Sequence, residues 1–279
     1  MEYKTGFSVK PSAITRIGKV IFTDGTNDIT PNQLECEAYG YTYNNATGTC
    51  SAYRFNTSIN RNMSNIDNFI KGKNNTTETG TTDTLIMGQN NVVKGMSRNN
   101  ILIGSNNQIA NEVNNAFVYG TLGEATADNS IVLGGNTGTD ILGERQSITL
   151  MYGQQTTDNS TVDAFLNNTT DSYFVVPENA VIYFQSETLA VRVAGAEGEG
   201  SVGDFKSWVE RGVVKNARGT LSIDRSRVSP ADSGNTTGWS PINSVSGTNF
   251  LQTVKGANGM TIEWVSTIRI TQIQTSVEL

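Results

Sequence analysis

The sequence predicts an all-β protein with a central parallel β-roll, or solenoid, followed by an antiparallel β-sandwich. Three observations support this fold class: a composition poor in helix formers, an internal repeat of about 16 residues, and apolar–polar alternation in the last third. Only 16% of the 279 residues are charged and 8% are aromatic, and Asn, Thr, Ser and Gly take their place. Such residues favour turns over helix interiors, so short strands joined by tight corners are expected.

Net charge and missing residue types exclude several function classes. The net charge is −6 and no basic stripe is present, so we expect no nucleic-acid partner. The chain has no histidine, which removes Ser-His-Asp and Cys-His catalysis and His-based zinc sites. No apolar run has the length of a membrane span, and the first ten residues lack the apolar core of a signal peptide. We therefore expect no cofactor, no membrane insertion and synthesis in a cytoplasm.

Residues 1–60 lack the repeat and are interpreted as short strands and loops that form a separate N-terminal region. Such a region caps the open end of a solenoid or attaches it to a larger assembly, and both roles can hold. Its two cysteines, Cys36 and Cys50, flank a stretch that is typical of a strand entering a turn. Hairpin partners bring two sulfurs within bonding range, so we expect a disulfide. The alternative is a pair of reduced, half-buried thiols.

Residues 61–157 contain a repeat that is aligned on glycine. Three mostly apolar residues precede each glycine, Asp or Asn lies five positions before it, and Asn commonly follows it. The five glycines, spaced by 16, 16, 16 and 14 residues, are Gly72, Gly88, Gly104, Gly120 and Gly134. A sixth, looser copy ends at Gly153. One unit cannot bury a core alone, so copies must stack into a parallel sheet, with each glycine at a corner that requires a positive φ.

The middle residue of each triplet is the candidate subunit interface. Alternation along a strand predicts that the first and third residues point into the coil and the middle one points out. The predicted outer column consists of Ile70, Ile86, Leu102, Val118 and Val132. Soluble monomers rarely expose such a column, and a three-fold axis along the coil would bury it, so the pattern predicts a homotrimer. The alternative is that another segment of the same chain covers the column.

The stacked Asn and Asp residues allow two interpretations. They form hydrogen-bonded ladders between successive coils, as stacked amides do in cross-β structures. Alternatively, their oxygen atoms bind calcium. The ladder is the favoured interpretation, and no metal site is predicted.

Residues 158–279 are predicted to form the C-terminal β domain. Ile262, Trp264, Ile268 and Ile270 share one parity and define the buried face of a strand. Asn258-Gly259 predicts a tight hairpin that would pair residues 250–254 with residues 261–268.

Candidate functional side chains in this domain are few. Trp239 lies between Gly238 and Ser240 and is predicted to be exposed, as a contact for a receptor or a sugar. For catalysis, carboxylate pairs would be needed. The candidate pairs are Glu197 with Glu199 and Asp224 with Asp232.

The repeat element Asn/Asp-x-aliphatic-aliphatic-aliphatic-Gly-x-Asn-Asn resembles the head repeat of trimeric autotransporter adhesins, over roughly residues 61–157. This resemblance implies a left-handed parallel β-roll in an intertwined homotrimer. Similar rolls occur in bacteriophage tail fibres and other virion appendages. The signal peptide, coiled-coil stalk and membrane anchor of autotransporters are not expected here, so a phage tail fibre or capsid spike is the closer match. Residues 173–177, 188–193 and 254–265 also resemble β domains at the ends of phage fibres.

The resulting expectation is a non-enzymatic appendage on the virion surface that mediates attachment to the host cell. Its N-terminal region would bind other virion proteins, and its C-terminal domain would bind a host glycan or protein. One alternative is a polysaccharide depolymerase on a β-helical scaffold. The other is a purely structural capsid or tail component without receptor binding.

Overall fold

Short strands joined by tight turns make up nearly all of the regular structure, in line with the composition. The computed structural model describes residues 9–15, 18–45, 47–52, 67–135, 141–195 and 200–276. In these residues there are 23 strands and one helix of six residues, and that helix is too short to cross a membrane. The chain divides into two units, residues 1–60 and residues 61–279.

The first unit consists of a three-stranded antiparallel sheet, a short helix and a hairpin. Its elements are β1 (Lys10–Ile14), β2 (Val20–Thr23), β3 (Asp28–Ile29), α1 (Gln33–Ala38), β4 (Thr42–Asn44) and β5 (Thr49–Ser51). The helix begins after Asn32, whose side chain accepts a hydrogen bond from the Glu35 amide while the Glu35 carboxylate accepts one from the Asn32 amide. These two bonds satisfy donors that a helix start leaves unpaired.

A disulfide between Cys36 and Cys50 lies in the core of this unit, with Cα atoms 5.7 Å apart. Both cysteines are fully buried beside Val20 and Phe22. The residues after Cys36 were predicted to form a strand, whereas Cys36 lies in α1 and only Cys50 lies in a hairpin strand. A helix forms here because Asn32 and Glu35 make a capping box, which is a local signal for the start of a helix.

The repeat region forms a parallel β-solenoid of about four turns. Its strands are β6 (Phe69–Lys73), β7 (Thr76–Thr77), β8 (Leu85–Gln89), β9 (Val92–Val93), β10 (Ile101–Ser105), β11 (Gln108–Ile109), β12 (Phe117–Thr121), β13 (Glu124–Ala125) and β14 (Ile131–Gly134). The longer strands form one parallel sheet and the two-residue strands form another. Register follows the repeat, since Leu102 pairs with both Ile86 and Val118.

The corners of the coil are occupied by Asn and Asp, not by the repeat glycines. Left-handed residues with φ from 54° to 61° stand before each long strand, at Asp67, Asp83, Asn99, Asn115 and Asn129. Asn and Asp tolerate this conformation better than other non-glycine residues. Gly104 has φ +125° but lies inside β10, where a β-carbon would overlap the carbonyl oxygen of Gly120 in the next coil.

Gly72, Gly88 and Gly120 repeat this arrangement, whereas Gly134 at the end of the stack has no positive φ. The predicted positive φ is therefore confirmed at four of the five glycines, whereas their predicted position at a corner is wrong, and close approach of successive coils explains them instead. The predicted outward orientation of the middle triplet residues is wrong as well. Ile86, Leu102 and Val118 are completely buried inside the coil and Val132 is 1% exposed, while Ile70, in the first coil, is 43% exposed.

The reason for this inversion lies in the phase of the strand. Alternation shows that two sets of side chains point in opposite directions, but the left-handed corner decides which set points inward. The first and third residues include Phe69, Lys71 and Tyr119, which are too large or too polar for the narrow interior, and these point outward. Lys71 was the sequence signal for the correct phase.

Nine further strands complete the second unit. They are β15 (Arg145–Thr156), β16 (Thr161–Leu166), β17 (Phe174–Val175), β18 (Ala180–Ala194), β19 (Phe205–Ala217), β20 (Thr220–Ser233), β21 (Ser240–Ser246), β22 (Asn249–Lys255) and β23 (Thr261–Gln274). Ten strands follow one another as a long sheet in the order β20-β19-β18-β23-β15-β14-β12-β10-β8-β6. The roll therefore continues into the C-terminal region without a break.

The predicted sixth repeat copy, residues 150–153, belongs to this antiparallel extension. It lies in β15, which runs antiparallel to β14 and pairs Ile148 with Val132. The remaining strands β16, β17, β21 and β22 form a short sheet that joins the long sheet through β15. The two sheets contact each other in the core, where the rings of Phe184 and Phe250 lie 5.0 Å apart.

The predicted hairpin at Asn258-Gly259 is wrong. Strand β22 pairs with β16, β17 and β21, while β23 pairs with β15 and β18, so the turn connects the two sheets. A two-residue hairpin turn of type I′ requires a positive φ at both central residues, and only Gly259 has one. The alternation of β23 is as the sequence indicates, because Ile262, Trp264, Ile268 and Ile270 are buried.

Candidate functional site

The outward side of the long sheet, here called the open face, is rich in exposed apolar side chains. This open face carries fourteen large apolar side chains that are 37–60% exposed. In the roll they are the outward triplet residues Phe69, Met87, Ile101, Tyr119, Ile131 and Leu133; in the C-terminal extension they are Met151, Tyr183, Leu189, Phe205, Val213, Val228, Val265 and Ile273. The face therefore runs along the whole sheet.

Strand pairing makes this face continuous across the junction. Leu133 of β14 is opposite Ser147 of β15, and Val265 of β23 is opposite both Gly153 and Leu189. If each exposed side chain offers roughly 70–80 Å², about half the area of a large side chain, the face presents on the order of 1,000 Å². Outward charged residues such as Glu263 and Arg269 interrupt this total, which nevertheless exceeds the ~300–600 Å² of the largest apolar patch on a typical monomer. A covering partner is the physical expectation.

A shallow concavity of about 380 Å³ lies within the open face. Its walls include Leu189, Val209 and Val265, with the Glu187 carboxylate among the lining groups. A bulge in β20 beside Ser207 interrupts the regular pairing of β19 and β20 here. The concavity can accept an apolar side chain from a covering partner.

A second, polar cleft lies on the inner side of β20, next to β21. This arginine cleft has a volume of about 520 Å³ and is lined by Glu210, Ile223, Asp224, Arg225, Arg227 and Ile242. Glu210 is 2% exposed. Its Oε1 accepts a hydrogen bond of 2.7 Å from Arg225 Nη1, and its Oε2 accepts one of 3.2 Å from Asn243 Nδ2. A buried carboxylate is thus held by an ion pair and an amide.

A buried polar network supports the cleft from behind. Gln252 Nε2 lies 3.3 Å from Asn243 Oδ1, from Ser186 Oγ and from Thr188 Oγ1. Thr188 in turn shares a 2.7 Å hydrogen bond with Ser266. Because these groups are buried and connected, they fix the side chain that holds Glu210.

Trp239 is buried and does not form the exposed contact that the sequence predicted. It is 3% exposed, and its ring lies 6.3 Å from that of Trp264, which also stacks on Trp208 at 5.6 Å. Gly238 lies in a turn and has φ +85°, while Ser240 already begins β21. A turn residue can still fold its ring inward, and only the tertiary structure decides this.

The asparagine column inside the roll forms a ladder. Asn91 Nδ2 donates to Asn75 Oδ1 at 3.0 Å and to Gly104 O at 2.9 Å, while Asn91 Oδ1 accepts from the amide of Asn107 at 3.1 Å. The side chains are therefore engaged with one another and with the backbone. No cluster of three or more acidic or cysteine side chains that could hold a metal occurs among the described residues.

The carboxylate pairs considered for catalysis do not come together. Glu197 and Glu199 lie outside the described residues. Asp224 and Asp232 are eight residues apart on β20, roughly 26 Å along an extended strand, against the ~5–9.5 Å that separates glycosidase carboxylates. Asp232 lies 3.7 Å from Lys206 in an exposed ion pair. The burial of Glu210 has no local signal in the sequence, because a single acidic residue in a strand is usually exposed to solvent.

No family model and no curated protein matches the sequence. Three solved phage tailspikes match the structure distantly. They are gp49 of Acinetobacter baumannii bacteriophage Fri1, a capsular polysaccharide depolymerase (9% identity, TM-score 0.27), the tailspike of Acinetobacter baumannii phage AM24 (8%, 0.26) and that of Acinetobacter phage vB_ApiP_P1 (11%, 0.26). The matches cover 75–76% of this chain and 47–49% of theirs, so the chain spans about half the length of those tailspikes.

The expectation that the chain is not an enzyme is corrected, because the Fri1 tailspike is a polysaccharide depolymerase. That expectation relied on the absence of histidine, which removes only histidine-dependent mechanisms. Glycosidic bonds are cleaved by a pair of carboxylates without any histidine. Composition alone therefore does not exclude catalysis.

Proposed function

We propose that this chain is a component of a phage tail appendage that assembles as a homotrimer and attaches the particle to a host surface. The observation that carries the proposal is the open face of the long sheet, which presents about 1,000 Å² of apolar surface on a rigid β-solenoid. The tailspike role of the matched structures is the same, but the proposal depends on this face and not on those matches.

Sister chains are the partner that best fits the open face. The face extends over ten strands, and its area is comparable to the ~800 Å² that each partner contributes to a standard interface. A repeating surface is most simply covered by identical copies around an axis, because each copy then offers the same column. We assign three copies, as in the resemblance of the repeat to trimeric adhesin heads. In such an assembly three equal C-terminal regions would bind one surface with raised avidity.

The oligomeric state of the purified chain tests this proposal. Light scattering coupled to size-exclusion chromatography is expected to give three times the 30.1 kDa chain mass. Leu133→Lys places a charge on the open face and should shift the mass to that of one chain. Met96→Lys is the matched control, since Met96 is equally exposed, at 56% against 53%, but lies outside the long sheet. A folded monomer in the unaltered protein would refute the proposal.

Cleavage of a surface polysaccharide is the second candidate function. The arginine cleft favours it, because two carboxylates, those of Glu210 and Asp224, line one open space together with Arg225 and Arg227. Incubation with bacterial capsular polysaccharide, followed by an assay for new chain ends, tests this function. A catalytic role predicts that Glu210→Gln abolishes the release of ends in a variant that tryptophan fluorescence shows to be folded, although loss of the buried ion pair with Arg225 lowers its urea unfolding midpoint. Release that survives this substitution would remove Glu210 from the candidate.

A further inference from the structure

We propose that the arginine cleft between β20 and β21 binds the acidic group of a saccharide, a carboxylate or a phosphate carried on a sugar ring. This inference rests on the proposed attachment to a host surface and names the chemistry that the C-terminal region recognises there. It replaces Trp239, which is buried, as the contact residue.

The charge balance of the cleft is the first argument. Arg225 is neutralised by Glu210, with Nη1 and Oε1 2.7 Å apart. Arg227 donates from Nη1 to Ser240 Oγ at 3.0 Å and to the Pro241 carbonyl, both uncharged acceptors. Among the residues that the structure describes, no carboxylate lies within ion-pair distance of Arg227. The lining as a whole carries two carboxylates and two guanidinium groups, but Arg227 itself has no ion-pair partner among them and is the group available to an anion.

The register of β20 explains why no aspartate neutralises Arg227. Arg225 and Arg227 pair with Gly212 and Glu210 on the inner side of β19, whereas Asp224 pairs with the outward Val213. Asp224 contributes to the cleft lining but belongs to the opposite parity of the strand. The alternation of the strand thus leaves Arg227 without a carboxylate partner on its own side of the sheet.

The shape of the cleft suits a sugar with an anionic substituent. A guanidinium group offers five N–H donors in a planar fork that matches carboxylate and phosphate oxygens, and each arginine uses only Nη1 for its hydrogen bonds within the described part of the chain. Ile223 and Ile242 supply apolar walls for the C–H face of a ring. The volume of about 520 Å³ lies within the ~300–1,000 Å³ of small-molecule sites.

The cleft is also rigid before any ligand arrives. Glu210 is held by both Arg225 and Asn243, and Asn243 is held by the buried Gln252. A fixed carboxylate orients Arg225, so less conformational freedom is lost on binding.

Binding of three small probes to the full-length chain tests the inference. The probes are digalacturonic acid, its uncharged dimethyl ester and glucose 6-phosphate, and binding is measured by isothermal titration calorimetry at low and moderate salt. At least one of the two acidic probes is expected to bind, more weakly at higher salt, and the ester is not. The acidic probe that binds identifies carboxylate or phosphate as the preferred group.

Two substitutions assign binding to the cleft. Arg227→Gln should weaken binding of the acidic probe about tenfold or more, the usual loss for a charge-assisted hydrogen-bond pair. Arg227→Lys retains the charge without the fork and should give an intermediate loss, which controls for disturbance of β21. Arg98→Gln, an exposed arginine of the roll that lies outside both the cleft and the long sheet, is the matched control and should bind as the unaltered chain does.

The inference is overturned if the ester binds as tightly as the acid, if Arg227→Gln binds unchanged, or if neither acidic probe binds at millimolar concentration. Its failure is separate from failure of the proposed function. A trimer that binds no anion would refute only the assignment of this binding site and would leave the proposed function intact. A folded monomer would refute the proposed trimeric appendage, whatever the cleft binds.

Discussion

Replacement of Gly104 by alanine tests whether close approach of the coils explains the repeat glycines. Gly104 has φ +125°, and an added β-carbon would overlap the carbonyl oxygen of Gly120 in the next coil. That carbonyl also accepts a hydrogen bond of 3.0 Å from Asn107 Nδ2. The substitution must therefore push the two coils apart and disturb the ladder beside them.

The expected cost of Gly104→Ala has two parts. A non-glycine residue in a sparsely populated positive-φ region costs about 1–3 kcal/mol. Displacing the Gly120 carbonyl from its amide donor adds roughly 1–3 kcal/mol for a buried group left unpaired. The free energy of unfolding of the second unit should therefore fall by about 2–6 kcal/mol.

Gly219→Ala is the matched control, because Gly219 has φ +80° and a β-carbon there would meet nothing within 4 Å. Gly219→Ala should lower stability only through backbone strain. Alanine reduces the entropy of the unfolded chain equally in both variants, so this effect cancels in the comparison. Urea unfolding followed by tryptophan fluorescence is the assay, since all three tryptophans lie in residues 61–279. Protein concentration must be equal, because association shifts stability. A difference below about 1 kcal/mol between the two variants would refute coil packing as the reason for these glycines.

Three further predictions use the same unfolding assay or a protease. Asn91→Ala should lower stability by about 2–4 kcal/mol, because it leaves the Asn107 amide and the Gly104 carbonyl buried without partners; a loss below 1 kcal/mol would contradict the ladder. Burial raises the pKa of Tyr152 well above its usual value, so folding stability is intact below about pH 10 and falls as pH rises further. Tyr152→Phe should reduce this loss of stability at alkaline pH. An unchanged dependence of stability on pH would contradict the role assigned to Tyr152. The double variant Cys36→Ser/Cys50→Ser should lose about 3 kcal/mol in the first unit and be cut faster by thermolysin, with tryptophan fluorescence unchanged.

The repeat made the parallel roll predictable from sequence alone. Equal spacing of the glycines places identical positions on top of one another, and the structure pairs Gly104 with Gly88 and Gly120 accordingly. Strand alternation in β23 was equally readable, because Ile262 to Ile270 are flanked by polar residues of the other parity. Local periodicity determines the register of the stacked coils and the residues on each face of a strand. These two features are enough to predict the parallel roll and the buried face of β23.

The direction in which side chains point and the pairing of distant strands could not be predicted in the same way. The phase of the roll depends on the left-handed corner at residues such as Asn99, which alternation does not reveal. The ring of Trp239 points into the core and β23 pairs with β15, more than a hundred residues away, because of contacts between distant segments. The arginine cleft arises from the register of β19 with β20, so no single segment carries its signal.

The unbroken passage from roll to C-terminal region has a mechanical consequence. β14 pairs with β15 over four residues, and β15 pairs with β23 over twelve. A pull on the C-terminal end is therefore resisted by many lateral backbone bonds loaded together, and not by one stretch of peptide linker. Rotation of the C-terminal region relative to the roll would require these hydrogen bonds to break. The two therefore move as one rigid body, and the roll sets the direction in which the C-terminal region faces.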